Sequence, residues 1–447
     1  MRQADVRASF SAEAVHCESS ASLSASPSGC CAAGVHSALL LGEGSFTFAR
    51  ALHAARPELL LVASGMEQEG EARALWQAGP QLDALLPPHG RGSTVAVAHG
   101  VDATRLERDA PRLLSLLASL ALPSGKVCSP RPAGFDRVLF TFPHSGAKGR
   151  IQANRALLSH FSASVAASGL MSSGGAVEVT LAAGQGGTPL DALSFEREAD
   201  DEEKHAREAN GVNASAASPR RRRPRAAGDT WQLSFAAADG GLVLCSAEVF
   251  DALGWAALGY APSGCWRGLG KGTRAHGFRT HAAVAHVLRP QGGGPSVTCP
   301  FPQETFAFDA SLWLRAPRSA DGGGGDESAA LLACTAGDVL VAARRVLASA
   351  PLPTAILESV APALGDADSL WRRQSDGVAS VCLRFRYAPA AGAAWSPARA
   401  KAAHAQVLAA LPSACGAVDA VRTNADQRAP PNGSDETTGF GCHVTGG

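Results

Sequence analysis

Residues Leu39–Phe48 read LLLGEGSFTF. Three consecutive leucines, a glycine on either side of Glu43, and then a run suited to a helix describe a buried strand that turns sharply into a helix. Gly42 and Gly44 can take backbone angles that a side chain forbids, and they let the chain come close to a ligand. With Glu43, Ser45 and Phe46 they form a turn suited to a nucleotide-like molecule. A dinucleotide site asks for a third glycine at position 47, where helix packs on strand. Thr47 stands there, which weakens a hydride-transfer reading, and no Tyr-x-x-x-Lys pattern supports one.

Working outward, short apolar runs recur at Ala38–Leu41, Leu59–Ala63, Val95–Ala98, Val138–Phe142 and Ala176–Leu181. Helical spacing lies between them, as at Phe46–Ala55 and Ile151–Ser168. Strands alternating with helices predict a parallel sheet covered on both faces. In such a sheet ligands bind at the carboxyl ends of the strands. The residues there include Glu67 or Glu69 after the second strand, where a carboxylate can take ribose hydroxyls, and Asp102 after the third, facing an adenine edge. The fourth strand ends in Thr141, Phe142, Pro143 and His144. An aromatic-Pro-His loop at that edge makes His144 a candidate for proton transfer.

At 447 residues the chain has room for two domains and tails. Its 40 Lys+Arg balance 40 Asp+Glu, so no whole-molecule field argues for nucleic acid or membrane. The 11 cysteines include no CxxC pair, which fits a reducing compartment and predicts no metal site. No stretch reaches the roughly 18 apolar residues of a membrane span. Residues 1–36 are Ser- and Ala-rich and read as a disordered leader; Asp5, Glu13 and Glu18 argue against a transit peptide. An exposed insertion is expected at about 196–228, acidic first and then basic through Arg220–Arg223 and Arg225, as a solvated loop, a nuclear address or an RNA-backbone contact. Gly270 and Lys271 do not make a phosphate loop, because Cys265 replaces the earlier glycine and Gly272 follows the lysine.

The runs LLLGEGSFTF, HGVDAT (99–104) and FDRVLFTFPHSG (135–146), followed by IQANRALL (151–158) and VEVTL (177–181), resemble the 25S ribosomal RNA uridine-N3 methyltransferase family. The likeness covers roughly 38–278 without the insertion. It implies a Rossmann-like fold that uses S-adenosylmethionine, held by Gly42, Glu43, Gly44, Ser45, Phe46, Glu67 and Asp102. His144, Thr141 and Pro143 then lie at the reacting end. N3 of uracil is a weak nucleophile until its imide proton leaves; His144 would accept or relay that proton, and the Thr141 carbonyl or hydroxyl would hold the base edge. The base must be flipped out or lie in a single-stranded loop. The family usually carries Asn where Thr141 stands. That departure favours the alternative, a non-catalytic RNA-binding or assembly protein with a vestigial cofactor pocket.

Past Pro300 a second module follows by period. Strands are expected at Phe306–Leu314, Thr354–Val360, Val378–Tyr387 and Ala417–Arg422, and helices at Ala336–Ser349 and Pro397–Leu411. Ser396 and Pro397 suit the start of the last helix. The order βαββαβ is ferredoxin-like. The runs FDASLWL (308–314), AGDVL (336–340) and SVCLRFRY (380–387) are similar to the ferredoxin-fold anticodon-binding domain, which implies contact with transfer RNA. Arg384 and Arg386 share one face of their strand and are candidates for RNA phosphates, or else for a solvated face. Trp313, between Leu312 and Leu314, is read as core.

The expected fold is therefore α/β, a Rossmann-like methyltransferase domain (37–290) plus a C-terminal α+β ferredoxin-like domain (296–423), with a disordered tail at 424–447. The expected activity is methylation of ribosomal RNA uridine at N3 with S-adenosylmethionine as cofactor. The expected partner is ribosomal RNA, with transfer RNA a further candidate. The expected place is the nucleus, nucleolus or cytoplasm rather than an organelle.

Overall fold

The computed structural model describes residues 36–86, 93–121, 132–146, 150–196, 229–264, 276–277, 280, 282–291, 299, 301, 303–315, 327–350, 355–363, 370–372 and 379–422. The expected leader, the body of the insertion with its arginine run, Gly270 and Lys271, and the tail lie outside the described residues.

In chain order the first part runs β1 (Ser37–Leu41), α1 (Thr47–Ala55), β2 (Leu60–Ser64), α2 (Glu69–Leu75), α3 (Gly79–Leu85), β3 (Val95–Ala98), α4 (Leu106–Ser119), β4 (Phe135–Thr141), α5 (Ile151–Ser168), β5 (Met171–Leu181), α6 (Leu233–Asp239), β6 (Leu242–Val249), α7 (Ala252–Ala257), β7 (Ser263–Gly264), β8 (His276–Gly277) and β9 (Val284–Pro290). Every residue of β1 and β2 is buried, as continuous apolar strands require when both sheet faces are covered. One core joins Leu39, Val62, Leu113, Phe161 and Leu233 under α4, α5 and α6. The other joins Leu40, Phe48, Leu52, Leu139 and Trp255 under α1 and α7. In α4 the buried residues Leu106, Ala110, Leu113 and Leu117 follow helical spacing, and Glu107 and Asp109 suit its positive end.

The strand order is β3-β2-β1-β4-β5-β9-β6, and β1 to β5 pair in parallel. The expectation of an all-parallel sheet is corrected at β9, which is antiparallel to both β5 and β6. β9 is inserted between β5 and β6, and it runs opposite to both, so the sheet's ladder there has the perpendicular bonds of an antiparallel pair.

The second part runs β10 (Phe306–Leu314), α8 (Glu327–Ala348), β11 (Ala355–Pro362), β12 (Leu370–Arg372), β13 (Ala379–Pro389), α9 (Pro397–Ala414) and β14 (Val418–Val421). Its antiparallel sheet has the order β11-β13-β10-β14, with β12 also on β13. This is the ferredoxin-like arrangement with one extra short strand. Leu312, Leu383, Phe385 and Tyr387 face Val339, Val407 and Leu411 of the two helices, which cover one face only. Trp313 is corrected from core to the open face: strand alternation turns it away from Leu312 and Leu314, and Arg422 lies 5.3 Å over its ring.

The two parts meet along a seam. Ala238 and Val243 pack on Ala394, and Phe235 meets Phe306 at 6.0 Å. Ser396 accepts the Arg399 amide as the cap of α9 and donates its own proton to Asp239 at 2.5 Å. A cleft of about 120 Å³ opens beside this seam between Thr230, Phe235, Phe301 and Trp395. No helix among the described residues is long and apolar enough to cross a membrane.

Candidate active site

The carboxyl ends of β1 to β4 bring the expected loops to one edge of the sheet. The Glu43 amide donates to Ser64 at the end of β2, Gly65 donates to Ala98 at the end of β3, and Gly100 donates to Glu67. Three consecutive loops are thereby fastened to one another.

Within the first loop Gly42 takes the left-handed angle expected of it, and both glycines also face aromatic rings. Gly42 has φ 72°, and a Cβ there would lie 2.8 Å from Phe140. A Cβ on Gly44 would lie 2.7 Å from the Trp76 indole. The missing side chains thus make room for two aromatic rings rather than for a ligand alone. Phe46 sits at φ 56° with its ring fully buried against His99, so only its backbone reaches the edge. Thr47, where a dinucleotide fold keeps glycine, donates to the Ala261 carbonyl at 3.0 Å and ties down the segment after α7. Ser45 is half-buried and bonds Thr47 at 3.1 Å.

Glu43 turns inward and is only 6% exposed. Its carboxylate accepts the Ala49 amide at 3.2 Å, at the start of α1, where orphan amides favour negative charge. Burial pushes its carboxyl up to about 7, while the Ala49 and Phe48 amides and the Thr141 side chain hold it back by bonding the ionised form. The sequence placed Glu43 and Thr141 in separate roles; the structure puts them at the ends of the paired neighbours β1 and β4. Tyr260, also buried, packs on Phe48, and its hydroxyl is held well above the ordinary range by burial and by the Glu43 charge.

Glu67 is half-buried after β2, beside the exposed Met66. Glu69 instead lies in the first turn of α2, paired with Arg73, so Glu67 is the better-placed carboxylate. Asp102 is half-buried, but one of its oxygens is taken by the Thr104 amide and hydroxyl at 2.9 and 2.7 Å. Burial raises its pKa, yet those bonds and Arg105 and Arg108 outweigh it and the carboxyl is held low.

Pro143 is buried and His144 is exposed. His144 Nδ1 accepts the Gly146 amide at 2.9 Å, and the ring lies 6.0 Å from Trp231. Partial desolvation lowers its pKa. A neutral ring held this way keeps its proton on Nε2, so the nitrogen left to a substrate donates and does not accept. Of the two roles expected of His144, accepting or relaying the proton, the ring held this way offers its donor first. Asn154, buried on α5, accepts the Ser145 amide at 2.9 Å and fixes this loop. The signal for Asn154 was available: it falls on the helical spacing of Leu158, Phe161 and Val165.

Arg384 and Arg386 lie far from this edge, on the open face of the second sheet, and both are exposed. Arg384 grips Asp309 through two bonds of 2.8 Å, which neutralises much of its charge toward phosphate. Among the described residues no cluster of three His, Cys, Asp or Glu is placed to hold a metal.

The residues fit S-adenosylmethionine in one observable respect. The Trp76 indole N–H, against Gly44, and His99 Nδ1, beside Phe46, are buried without a hydrogen-bond partner among the described residues. A buried donor and acceptor left open beside the turn are what a polar ligand would satisfy.

A family model described as BMT5-like, rRNA (uridine-N3-)-methyltransferase, matches residues 39–262. The chain belongs to this family. The matched segment contains all four loops at the sheet edge, and the fold is the mixed α/β arrangement of a Rossmann-like methyltransferase with a second sheet domain after it. Two curated relatives are ferredoxin-fold anticodon-binding domain-containing protein 1 homolog of Mus musculus, 37% identical over 155 residues, and its Homo sapiens counterpart, 32% identical over 154. Each alignment covers 34% of this chain and 21% of the relative, so the chain spans about a fifth of their length. Among solved structures, the 16S rRNA methyltransferase KamB is 13% identical with TM-score 0.26, covering 56% of this chain and 86% of that one. The 16S rRNA (adenine(1408)-N(1))-methyltransferase from Catenulisporales acidiphilia is 14% identical with TM-score 0.27, covering 57% and 87%. Both of these likenesses are weak.

Proposed function

We propose that this protein methylates N3 of a uridine in ribosomal RNA, with S-adenosylmethionine as the methyl donor, and that its C-terminal sheet helps to hold the RNA. The observation carrying this reading is the convergence at one sheet edge of the Gly42–Phe46 turn, Glu67 and the Thr141–His144 loop, in a segment that matches the family throughout. When bound, the cofactor supplies an electrophilic methyl group. The backbone of the turn, with Ser45, Glu67, Met66, Trp76 and His99 around it, would hold the cofactor. Pro143 and Asn154 fix the loop against which the base rests, so that binding supplies orientation. His144, a donor as it stands, suits a uracil carbonyl oxygen. The compartment proposed is the nucleus, nucleolus or cytoplasm, and the second module leaves transfer RNA as the other substrate class.

A second reading, an RNA-binding protein without turnover, draws on one feature: Trp76 covers the Gly44 face of the turn. Calorimetry with S-adenosylhomocysteine, S-adenosylmethionine and NAD, followed by transfer of labelled methyl groups to total cellular RNA and nucleoside analysis, separates the two. The proposal expects cofactor binding, label in N3-methyluridine, and loss of both in Gly44→Arg. Binding without transfer favours the second reading. NAD binding in place of the sulfonium compound would refute both.

A further inference from the structure

Resting on that reading, we propose that Trp231 is a positioning residue of the methyl-transfer site: its indole holds the His144 ring as a fixed hydrogen-bond donor toward the base, and so selects uracil over cytosine.

The loop that carries His144 is fastened at its backbone. Phe142, at φ 52°, donates its amide to the Thr180 carbonyl at 2.8 Å, and Asn154 holds the Ser145 amide at 2.9 Å. A residue other than glycine keeps such an angle only where its surroundings over-determine it. What stays free on an exposed histidine is the ring itself. The Gly146 amide engages that ring through Nδ1. Trp231 meets it in a T-shaped pair at 6.0 Å with 62° between the planes, inside the roughly 4.5–7 Å over which aromatic rings attract. Together the two contacts set the tilt of the ring and the nitrogen that carries its proton, and Nε2–H is what remains for a substrate.

Trp231 is itself held in place. Its indole is buried, 4% exposed, in the core that includes Phe161 and Leu233. Just before it, Arg155 of α5 grips the Thr230 carbonyl, with Nε and Nη2 donating at 3.0 and 2.7 Å. The Trp231 and Leu233 amides donate to Gln185 and Gly186, in the loop after β5, at 2.7 and 2.9 Å. Asn154 and Arg155 are neighbours on α5, so one turn of one helix fixes both the loop that bears the imidazole and the segment that bears the indole. Core packing accounts for the burial of Trp231 but not for its contact with an exposed polar ring.

The base edge gives this arrangement its meaning. N3 of uracil lies between two carbonyl oxygens, both acceptors; in cytosine one of them is replaced by an amino group, a donor. A fixed N–H aimed at that position meets an acceptor in uracil and is opposed by the hydrogens of cytosine. An imidazole free to tilt, or to move its proton to Nδ1, can accept as readily as donate, and the discrimination is lost.

The test uses the full chain, total RNA from cells that lack the protein, and the variants Trp231→Leu, Trp231→Phe, His144→Ala and His144→Ala with Trp231→Leu. Without cofactor or RNA, nitrogen NMR of the His144 side chain should show the Nε2-protonated form in the wild type and exchange between both forms in Trp231→Leu. Single-turnover transfer of labelled methyl to N3-methyluridine should fall about tenfold in Trp231→Leu, the worth of one well-aimed hydrogen bond. Trp231→Phe, which keeps an aromatic ring, should recover most of both losses. The ratio of N3-methyluridine to N3-methylcytidine should fall in Trp231→Leu by a similar factor. The double variant should be no slower than His144→Ala, because Trp231 acts through His144.

A Trp231→Leu protein with the wild-type His144 spectrum overturns the inference and leaves the methyltransferase reading intact. So does a double variant slower than His144→Ala by the whole Trp231→Leu factor, the outcome for a tryptophan that serves the core alone. An unchanged ratio of the two methylated nucleosides overturns the selection of base. A wild type that binds no sulfonium compound overturns the methyltransferase reading and the inference with it, whatever the spectra show. Where Trp231→Leu does not fold, Arg155→Ala takes its place: it releases the segment but keeps the indole, and should loosen the His144 proton and slow transfer in the same direction.

Discussion

Replacing Gly42 with alanine tests whether the turn is built around Phe140. Two costs arise from the structure. At φ 72° an L side chain is strained by about 1–2 kcal/mol. The new methyl also lies 2.8 Å from Phe140 Cε2, and that ring is only 6% exposed and edge-on to Phe161 at 4.8 Å. Pushing a packed ring off its rotamer adds about 1 kcal/mol, more if the strand shifts. Gly42→Ala should therefore cost about 3 kcal/mol. Gly44→Ala is the control, since its backbone angle is ordinary and its neighbour Trp76 is half-buried and able to give way, for about 1 kcal/mol. Because the chain has two sheets, a single unfolding curve would mix them. Native-state hydrogen exchange at the Leu39–Leu41 amides reads the first sheet alone. A Gly42→Ala protein whose opening free energy lies within about 0.5 kcal/mol of wild type, or a Gly44→Ala protein equally damaged, would refute the reasoning.

Three further outcomes are expected. Asp191→Asn should cost about 1–3 kcal/mol in urea unfolding, because it removes one of the carboxylate oxygens that His286, fully buried and bonded to Asp191 at 2.9 Å, and the Gly186 and Thr188 amides all use. Burial alone would raise the Asp191 pKa, but bonds from His286 and Thr188 depress it, so its contribution is present above the ordinary aspartate pKa of about 3.9 and is lost as pH falls through the lower folded value. A urea midpoint that stays flat down to the acid limit would contradict this. Asn154→Ala should leave the Ser145 amide unpaired at about 1–2 kcal/mol and raise proteolysis at the Pro143–Gly146 loop, read by limited digestion. In filter binding to RNA, Arg386→Ala should reduce the salt slope by about one and Arg384→Ala by less, since Asp309 already balances Arg384; equal effects would show that the ion pair opens on binding.

Much of this molecule was legible beforehand where burial repeats along the chain. The all-apolar run at β1, the helical spacing of α5 and the Ser396–Pro397 start of α9 each depend on nearest neighbours in sequence and came out as read. What escaped depends on partners distant along the chain. That Gly42 faces Phe140, 98 positions further on, is invisible to periodicity because the packing of β1 beside β4 creates that contact. Trp313 failed for a different reason: alternation placed it correctly opposite Leu312 and Leu314, but only the number of layers tells which face is covered. The reversal of β9 escaped because its apolar run carries no mark of direction: which way it runs is set by its insertion between β5 and β6, strands distant along the chain.

The Ser396 hydroxyl completes the first turn of α9 and at the same time anchors Asp239 at the end of α6. Swivelling one sheet against the other would break the Ser396–Asp239 bond and part Ala238 and Val243 from Ala394, so the capping residue also serves as a fastener between the two sheets. Under the proposed function, an RNA clasped on the far sheet would be offered to the near one at a set span, and which nucleotide arrives there would become a matter of measured distance along the strand as much as of base identity.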